Sequence, residues 1–538
     1  MSSTHGTLGG AMGAFDPRHH VIHTADGELS AKTPATSAAD VRRIVGEAIS
    51  ANAPSGIVLN FHGGLVSLAS ALETAELRLF PLYSGANAYP IFFAWESGFL
   101  EVPFNHLGEI GKEALFQEFM KKVGEWVSRK VEPGIAPPLA ARVRAASKVP
   151  RARDAGAQTR TDLDAWFKGG ATRRALPARL REFKTAKAPR LAMRAAAPPD
   201  RDTLAKEILA SIERDTKFQG ALRSAQAGLH PQRQALRMAR GGGTRVSTTS
   251  LIDKEAAARL FPQVRRRTTQ LSVGGWIQAA KVVADIVLRV LRRVRTGRDH
   301  GKYVTLVEEV LRELYVGKIG RTGWWDRMKD DTAATFRTGE QYGGSVFLQA
   351  LHDALGGAAA PRITLVGHST GAIFIGNFLK AAAQWVPDVM FDVIFEAPAA
   401  THDFLAKVID EHGSRIRNLR LFGMSDAREQ ADVLVPLIYP ASLLYFVSGL
   451  LEDEPDQPIV GMQRFLANAS TFDPDDFPNV DACRKFFVGF KNALVWSPQS
   501  KPPGCASDGR HHQDFDDVDP PTLQSVAFIL RNGYATNP

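Results

Sequence analysis

An α/β fold, built on a mostly parallel sheet with helices on both faces, follows from three features of this 538-residue sequence. Short apolar runs rich in β-branched and aromatic residues alternate with segments of helical periodicity. Glycine-containing turns close several of these runs. The alternation breaks off near residue 131 and resumes near residue 300, so one sheet interrupted by an insertion accounts for the pattern better than two separate domains.

Residues 1–53 mix Gly, His, Ser and Thr around one short helical pattern, Ala38-Ala39-Asp40-Val41-Arg42-Arg43-Ile44-Val45, and read as an N-terminal extension. His19, His20 and His23 fall there without a supporting cysteine or carboxylate pattern, so they are expected in a solvated segment and no metal is expected on them.

Residues 54–130 read as the first part of the core. Gly56-Ile57-Val58-Leu59-Asn60-Phe61 is a buried strand that runs into His62-Gly63-Gly64, residues 65–82 carry apolar positions at helical spacing, and Tyr89-Pro90-Ile91-Phe92-Phe93-Ala94-Trp95 is a second strand.

From 131 to 300 the composition shifts to Ala, Arg and Pro, with Gly241-Gly242-Gly243 as a joint, and predicts a helical insertion, partly disordered and able to serve as a cap. This stretch holds 35 Lys and Arg against 14 Asp and Glu, a balance of +21; the whole chain is +9, so the remainder carries −12. Its clearest helix covers residues 276–295, where Trp276, Ala280, Val283, Val287, Val290 and Val294 recur three or four apart and Arg289, Arg292 and Arg293 take other positions. Such a basic amphipathic helix either packs on the core or meets an anionic membrane or polyanion.

Residues 301–538 carry the second part of the core, with strands at Ile363-Thr364-Leu365-Val366, Val393-Ile394-Phe395 and Leu419-Arg420-Leu421-Phe422, each preceded by a helical segment.

Composition narrows the class further. The first residues lack the basic start and apolar stretch of a secretory leader, no apolar run approaches the roughly 20 residues of a membrane-spanning helix, and the two cysteines, Cys483 and Cys505, read as reduced thiols; together these predict a cytoplasmic protein. Asp473, Asp475 and Asp476 lack the spacing of a calcium loop, and the apolar segment 437–447 is too short to span a bilayer, so it is expected as core or as the lining of an acyl pocket. No cofactor and no metal are expected.

The chemistry concentrates in Gly367-His368-Ser369-Thr370-Gly371, which follows a hydrophobic strand and opens an apolar helix. A serine on so sharp a turn needs small flanking residues, and the N-terminus of the following helix favours developing negative charge.

This arrangement, together with His62-Gly63-Gly64 after an early strand, resembles the α/β-hydrolase superfamily, and particularly its serine esterases and lipases. The resemblance covers residues 55–125 and 302–532. It implies Ser369 as nucleophile and an oxyanion hole built from the backbone N–H groups of Gly63, Gly64 and Thr370, although Leu65 stands where many lipases have a third glycine. It implies the order serine, acid, histidine. Asp426, in a G-x-x-D arrangement just past a strand, is the expected acid, with Asp432 and Glu396 as alternatives. His512 is the expected base over His511, because His512 and Phe515 fit a His-x-x-Phe-Asp pattern seen in related hydrolases.

The implied reaction is hydrolysis of a carboxylic ester, of a small molecule or a lipid. A binding protein that keeps the scaffold and holds a polyanion on its basic insertion is the rival reading. The insertion's aromatics, Trp166, Phe167, Phe183, Phe218, Phe261 and Trp276, are too widely spaced for a base-stacking surface.

Overall fold

A strand buried on both faces is written as a continuous apolar run, and the strands of this chain show it. In the computed structural model, which describes residues 14–64, 66–96, 101–131, 152–168, 176, 178–181, 197–229, 250–261, 273–315, 325–467 and 472–534, eight strands form one sheet. They are β1 (Val21–Ala25), β2 (Glu28–Leu29), β3 (Ile57–Phe61), β4 (Tyr89–Glu96), β5 (Ile363–His368), β6 (Phe391–Glu396), β7 (Ile416–Met424) and β8 (Leu494–Ser497), in the order β2-β1-β4-β3-β5-β6-β7-β8. Every neighbouring pair is parallel except β1 with β2. All residues of β3, β5 and β6 are buried.

Residues 14–53 are not an appendage to this sheet. Strand β1 pairs along its length with β4, from Val21 opposite Phe92 to Ala25 opposite Glu96. The helix Ala38–Ser50 starts from a Ser37/Asp40 capping box and buries Val41, Ile44, Val45 and Ala48. Polar residues hide the strand in the sequence. His23 and Thr24 sit inside β1 and are buried, and His23 is accommodated by donating Nδ1–H to the Pro34 carbonyl at 2.9 Å. His20 is likewise buried and donates to the Pro90 carbonyl at 2.8 Å, whereas His19 meets Glu47 at 2.8 Å, so none of the three histidines is free in solvent.

The chain divides into two compact units, one of residues 1–100, 323–432 and 458–538, which holds the sheet, and one of residues 101–322 and 433–457. The second unit therefore begins about 30 residues before the composition shift at 131, and it recruits a later segment. That segment contains the apolar stretch 437–447, which is core of this unit: Tyr439, Leu444, Tyr445 and Phe446 are fully buried. Gly241-Gly242-Gly243 and Leu65 lie outside the described residues.

The described part of the second unit is helical. Its helix Val273–Thr296 contains the expected amphipathic segment and buries Val283, Val287, Val290 and Val294. Two of its three noted arginines are not presented to a partner. Arg289 binds Glu309 (2.8 Å) and Glu313 (2.9 Å), and Arg293 binds Glu308 (2.6 Å) and Glu309 (3.2 Å), all on the next helix, Lys302–Leu314. Glu308 also meets His300 Nδ1 at 2.7 Å and accepts from the Tyr439 hydroxyl at 2.5 Å, while His300 Nε2 meets Asp456 at 2.8 Å. Burial raises the Glu308 pKa, but the charges of His300 and Arg293 outweigh it and hold the group at about 2. This buried ionic network ties segment 433–457 to the helices around it.

Among the described residues, no helix is long and apolar enough to cross a membrane.

Candidate functional site

Strand order places the site. From β3 the chain moves to β4 on one side and later to β5 on the other, so the ends of β3 and β5 flank the point where the winding reverses. In open parallel sheets this crevice at the carboxyl ends of the strands is where ligands bind. His62-Gly63-Gly64 follows β3 and Ser369 follows β5.

The turn at Ser369 is tight. Ser369 has φ +54°, a left-handed backbone that a side-chain-bearing residue adopts at a cost. Its N–H donates to the Glu396 carbonyl (2.8 Å) and its carbonyl accepts from Ala399 N–H (2.9 Å), which locks the turn to the end of β6. The helix Gly371–Trp385 leaves so close to β3 that a Cβ on Gly371 would lie 2.1 Å from the Phe61 carbonyl oxygen, and one on Gly367 would lie 2.8 Å from the Gly371 backbone. Both glycines are thus required by space. Ser369 itself is 3% exposed.

The glycine loop lies against this turn. A Cβ on Gly63 would come within 3.3 Å of Ser369 Cβ and 3.0 Å of His368 Nδ1, and one on Gly64 within 2.6 Å of Thr370 Oγ1. Gly64 N–H donates to that Thr370 hydroxyl at 2.7 Å and so is already engaged. Among the described residues, no hydrogen bond takes the N–H of Gly63 or of Thr370. His62 is scaffolding: it donates Nδ1–H to the Gly63 carbonyl (2.8 Å), accepts Trp95 N–H at Nε2 (3.0 Å), and burial lowers its pKa to about 4.

The expected base and acid are not paired with each other. Asp426 opens the short helix Asp426–Ala431 and accepts from Gln430 Nε2 at 2.8 Å, while both ring nitrogens of His512 are buried without a hydrogen-bond partner. A histidine–carboxylate pair is formed instead by the alternatives. Asp432, one helix length beyond Asp426, meets His511 Nδ1 at 2.8 Å and also accepts the His512 backbone N–H at 3.4 Å. The bond to Asp432 raises the His511 pKa, whereas burial puts that of His512 well below the usual histidine range. Spacing from the end of β7 could not separate Asp426 from Asp432, because a six-residue helix reorients the chain between them.

The sequence singles out His512 and Glu396 separately, but not the buried cluster they form with His368 and Asp516 beside the serine. His368 donates Nε2–H to the His512 carbonyl (3.0 Å), its Nδ1 meets Asp516 at 3.2 Å, and its ring centroid lies 5.0 Å from that of His512. Burial lowers the pKa of His368, but Asp516, by charge and hydrogen bond, and Glu396 overcome this and bring it to about 9. Glu396 is buried with Oε2 unpartnered, and burial, helped by Asp516, lifts its carboxyl to about 8. The His-x-x-Phe-Asp run was the available signal: Phe515 fills the core of the sheet unit, and its Asp516 holds the histidine beside the nucleophile.

Comparison with family models, curated proteins and solved structures finds no match to this chain.

Proposed function

We propose that the protein is a serine hydrolase of the α/β-hydrolase kind that cleaves carboxylic esters. The observation that carries this reading is Ser369 at φ +54°, held at the end of a central strand, beside the switch point of the sheet and against a glycine loop.

In this mechanism Ser369 Oγ attacks the ester carbonyl carbon as its proton passes to a histidine. The tetrahedral oxyanion is met by Thr370 N–H and Gly63 N–H, and Gly64 N–H joins them only after releasing the Thr370 hydroxyl. The histidine then protonates the leaving alcohol, and water repeats the sequence on the acyl-serine to release the acid. Carboxylate pairing alone favours His511 with Asp432 over His512 with Asp426, because a base needs a carboxylate on the far ring nitrogen to fix its tautomer.

A fluorophosphonate probe tests the reading. Labelling of the native chain that is lost in Ser369→Ala and in His511→Ala, and kept in His512→Ala, is the expected result. Nitrophenyl esters of increasing chain length then separate a small-ester substrate from a lipid. No labelling of a folded native chain sinks the proposal and favours the binding reading, which the His512 ring nitrogens without a hydrogen bond and the engaged Gly64 N–H support.

A further inference from the structure

At the opposite end of the sheet, where β5, β6 and β7 begin, a cavity of about 350 Å³ opens between Arg362, Asp392, Arg417, Asn418 and Arg531. Two guanidinium groups meet one carboxylate there, and a third arginine, Arg531, lines the same cavity. Asp392 is 1% exposed and fully occupied: its Oδ2 accepts from Arg362 Nε at 2.5 Å, and its Oδ1 accepts from Arg417 Nε and Asn418 Nδ2, each at 2.9 Å. Arg362 spends its remaining nitrogens on the carbonyls of Leu530 (2.8 Å) and Ile529 (3.1 Å), at the end of the last helix, Pro520–Asn532.

One arginine neutralises Asp392, and Arg362 does so while closing the helix end. Arg417 is then held by its Nε edge only, with Nη1 and Nη2 unengaged among the described residues, and Arg531 uses only Nη2, on the Gly85 carbonyl at 3.1 Å. The cavity thus keeps an excess positive charge and an arginine anchored through its Nε, with its outer edge turned away from that bond. Among the described residues no aromatic side chain lines it, so there it offers charge and hydrogen-bond donors without a stacking surface.

We propose that this cavity binds a phosphate group, with the outer edge of Arg417 and the Arg531 guanidinium as its ligands. The site is separate from Ser369, at the other end of β5, and does not depend on the hydrolase reading.

Inorganic pyrophosphate is the first probe, titrated calorimetrically into the full chain at low ionic strength. Saturable binding is expected, weakened about tenfold or more in the double variant Arg417→Gln/Arg531→Gln, which leaves the Arg362–Asp392 pair intact. Co-sedimentation with phosphatidic acid vesicles, against phosphatidylcholine vesicles, distinguishes the source: vesicle binding lost in the double variant assigns a lipid headgroup, and pyrophosphate binding without vesicle binding assigns a soluble phosphate. Failure of the native chain to bind either probe overturns the proposal, as does unchanged binding by a double variant that melts at the native temperature.

Discussion

His511 and His512 are adjacent in sequence and opposite in environment, and that difference yields a test of which one is the base. A base must be neutral to accept the serine proton. Asp432 raises the His511 pKa, so if His511 serves, kcat/KM climbs with pH through a midpoint above the ordinary histidine value of about 6.5. If His512 serves, its lowered pKa puts the midpoint well below that value and the rate is flat near neutrality. A pH–rate profile on a soluble ester decides between them. His368 acts on the same segment through structure: it reaches the His512 carbonyl and Asp516 from the residue next to the nucleophile. His368→Gln keeps one hydrogen-bonding end and loses the charge, and the expected result is a fall in kcat of about tenfold, with KM little changed and labelling of Ser369 slowed in parallel.

At the scale of elements, close approach and buried charge set the tolerance to change. The helix after Ser369 passes β3 so tightly that Gly371→Ala drives a methyl group into the Phe61 carbonyl, and a loss of about 3 kcal/mol or more is expected, measurable by denaturant unfolding. In the helical unit, His300 bridges Glu308 and Asp456, all three buried. His300→Ala strips a partner from both carboxylates at once, and the expected cost is about 3 kcal/mol, seen as a lower melting temperature. If that melting temperature does not move, the network does not hold segment 433–457 in place.

For the whole molecule, the cluster beside Ser369 ties stability to pH. Glu396 keeps its proton in the fold up to about 8, against 4.5 when unfolded, and His368 keeps its proton up to about 9, against 6.5. In both cases the folded chain binds more protons than the unfolded chain as pH rises, so stability falls. The Glu396 penalty grows from about pH 4.5 and is complete near 8. The His368 contribution is whole below about 6.5 and is lost through 9. These two groups therefore lower the melting temperature from about pH 4.5 to 9, most steeply between 6.5 and 8 where both contribute, and Glu396→Gln, which cannot ionise, is expected to flatten the decline below about 8. A slope unchanged in that variant assigns the pH dependence to other groups.

The sequence by itself determined the alternation of strand and helix, the fact that it is interrupted and resumes, and the turn at Ser369, because each depends on local periodicity or on glycine at fixed offsets within a few residues. It also brought the glycine loop and the serine into one chain order. Tertiary structure decided the rest. A strand with His23 and Thr24 at its centre joins the sheet only because β4 and the Pro34 carbonyl are there to receive it. Segment 433–457 belongs to the helical unit because buried charges pair across more than a hundred residues, which no local pattern records. The carboxylate that a histidine near residue 512 meets is likewise set by a six-residue helix that turns Asp432, rather than Asp426, toward His511. Local preference fixes elements, whereas hydrogen bonds and ion pairs between distant segments fix partners.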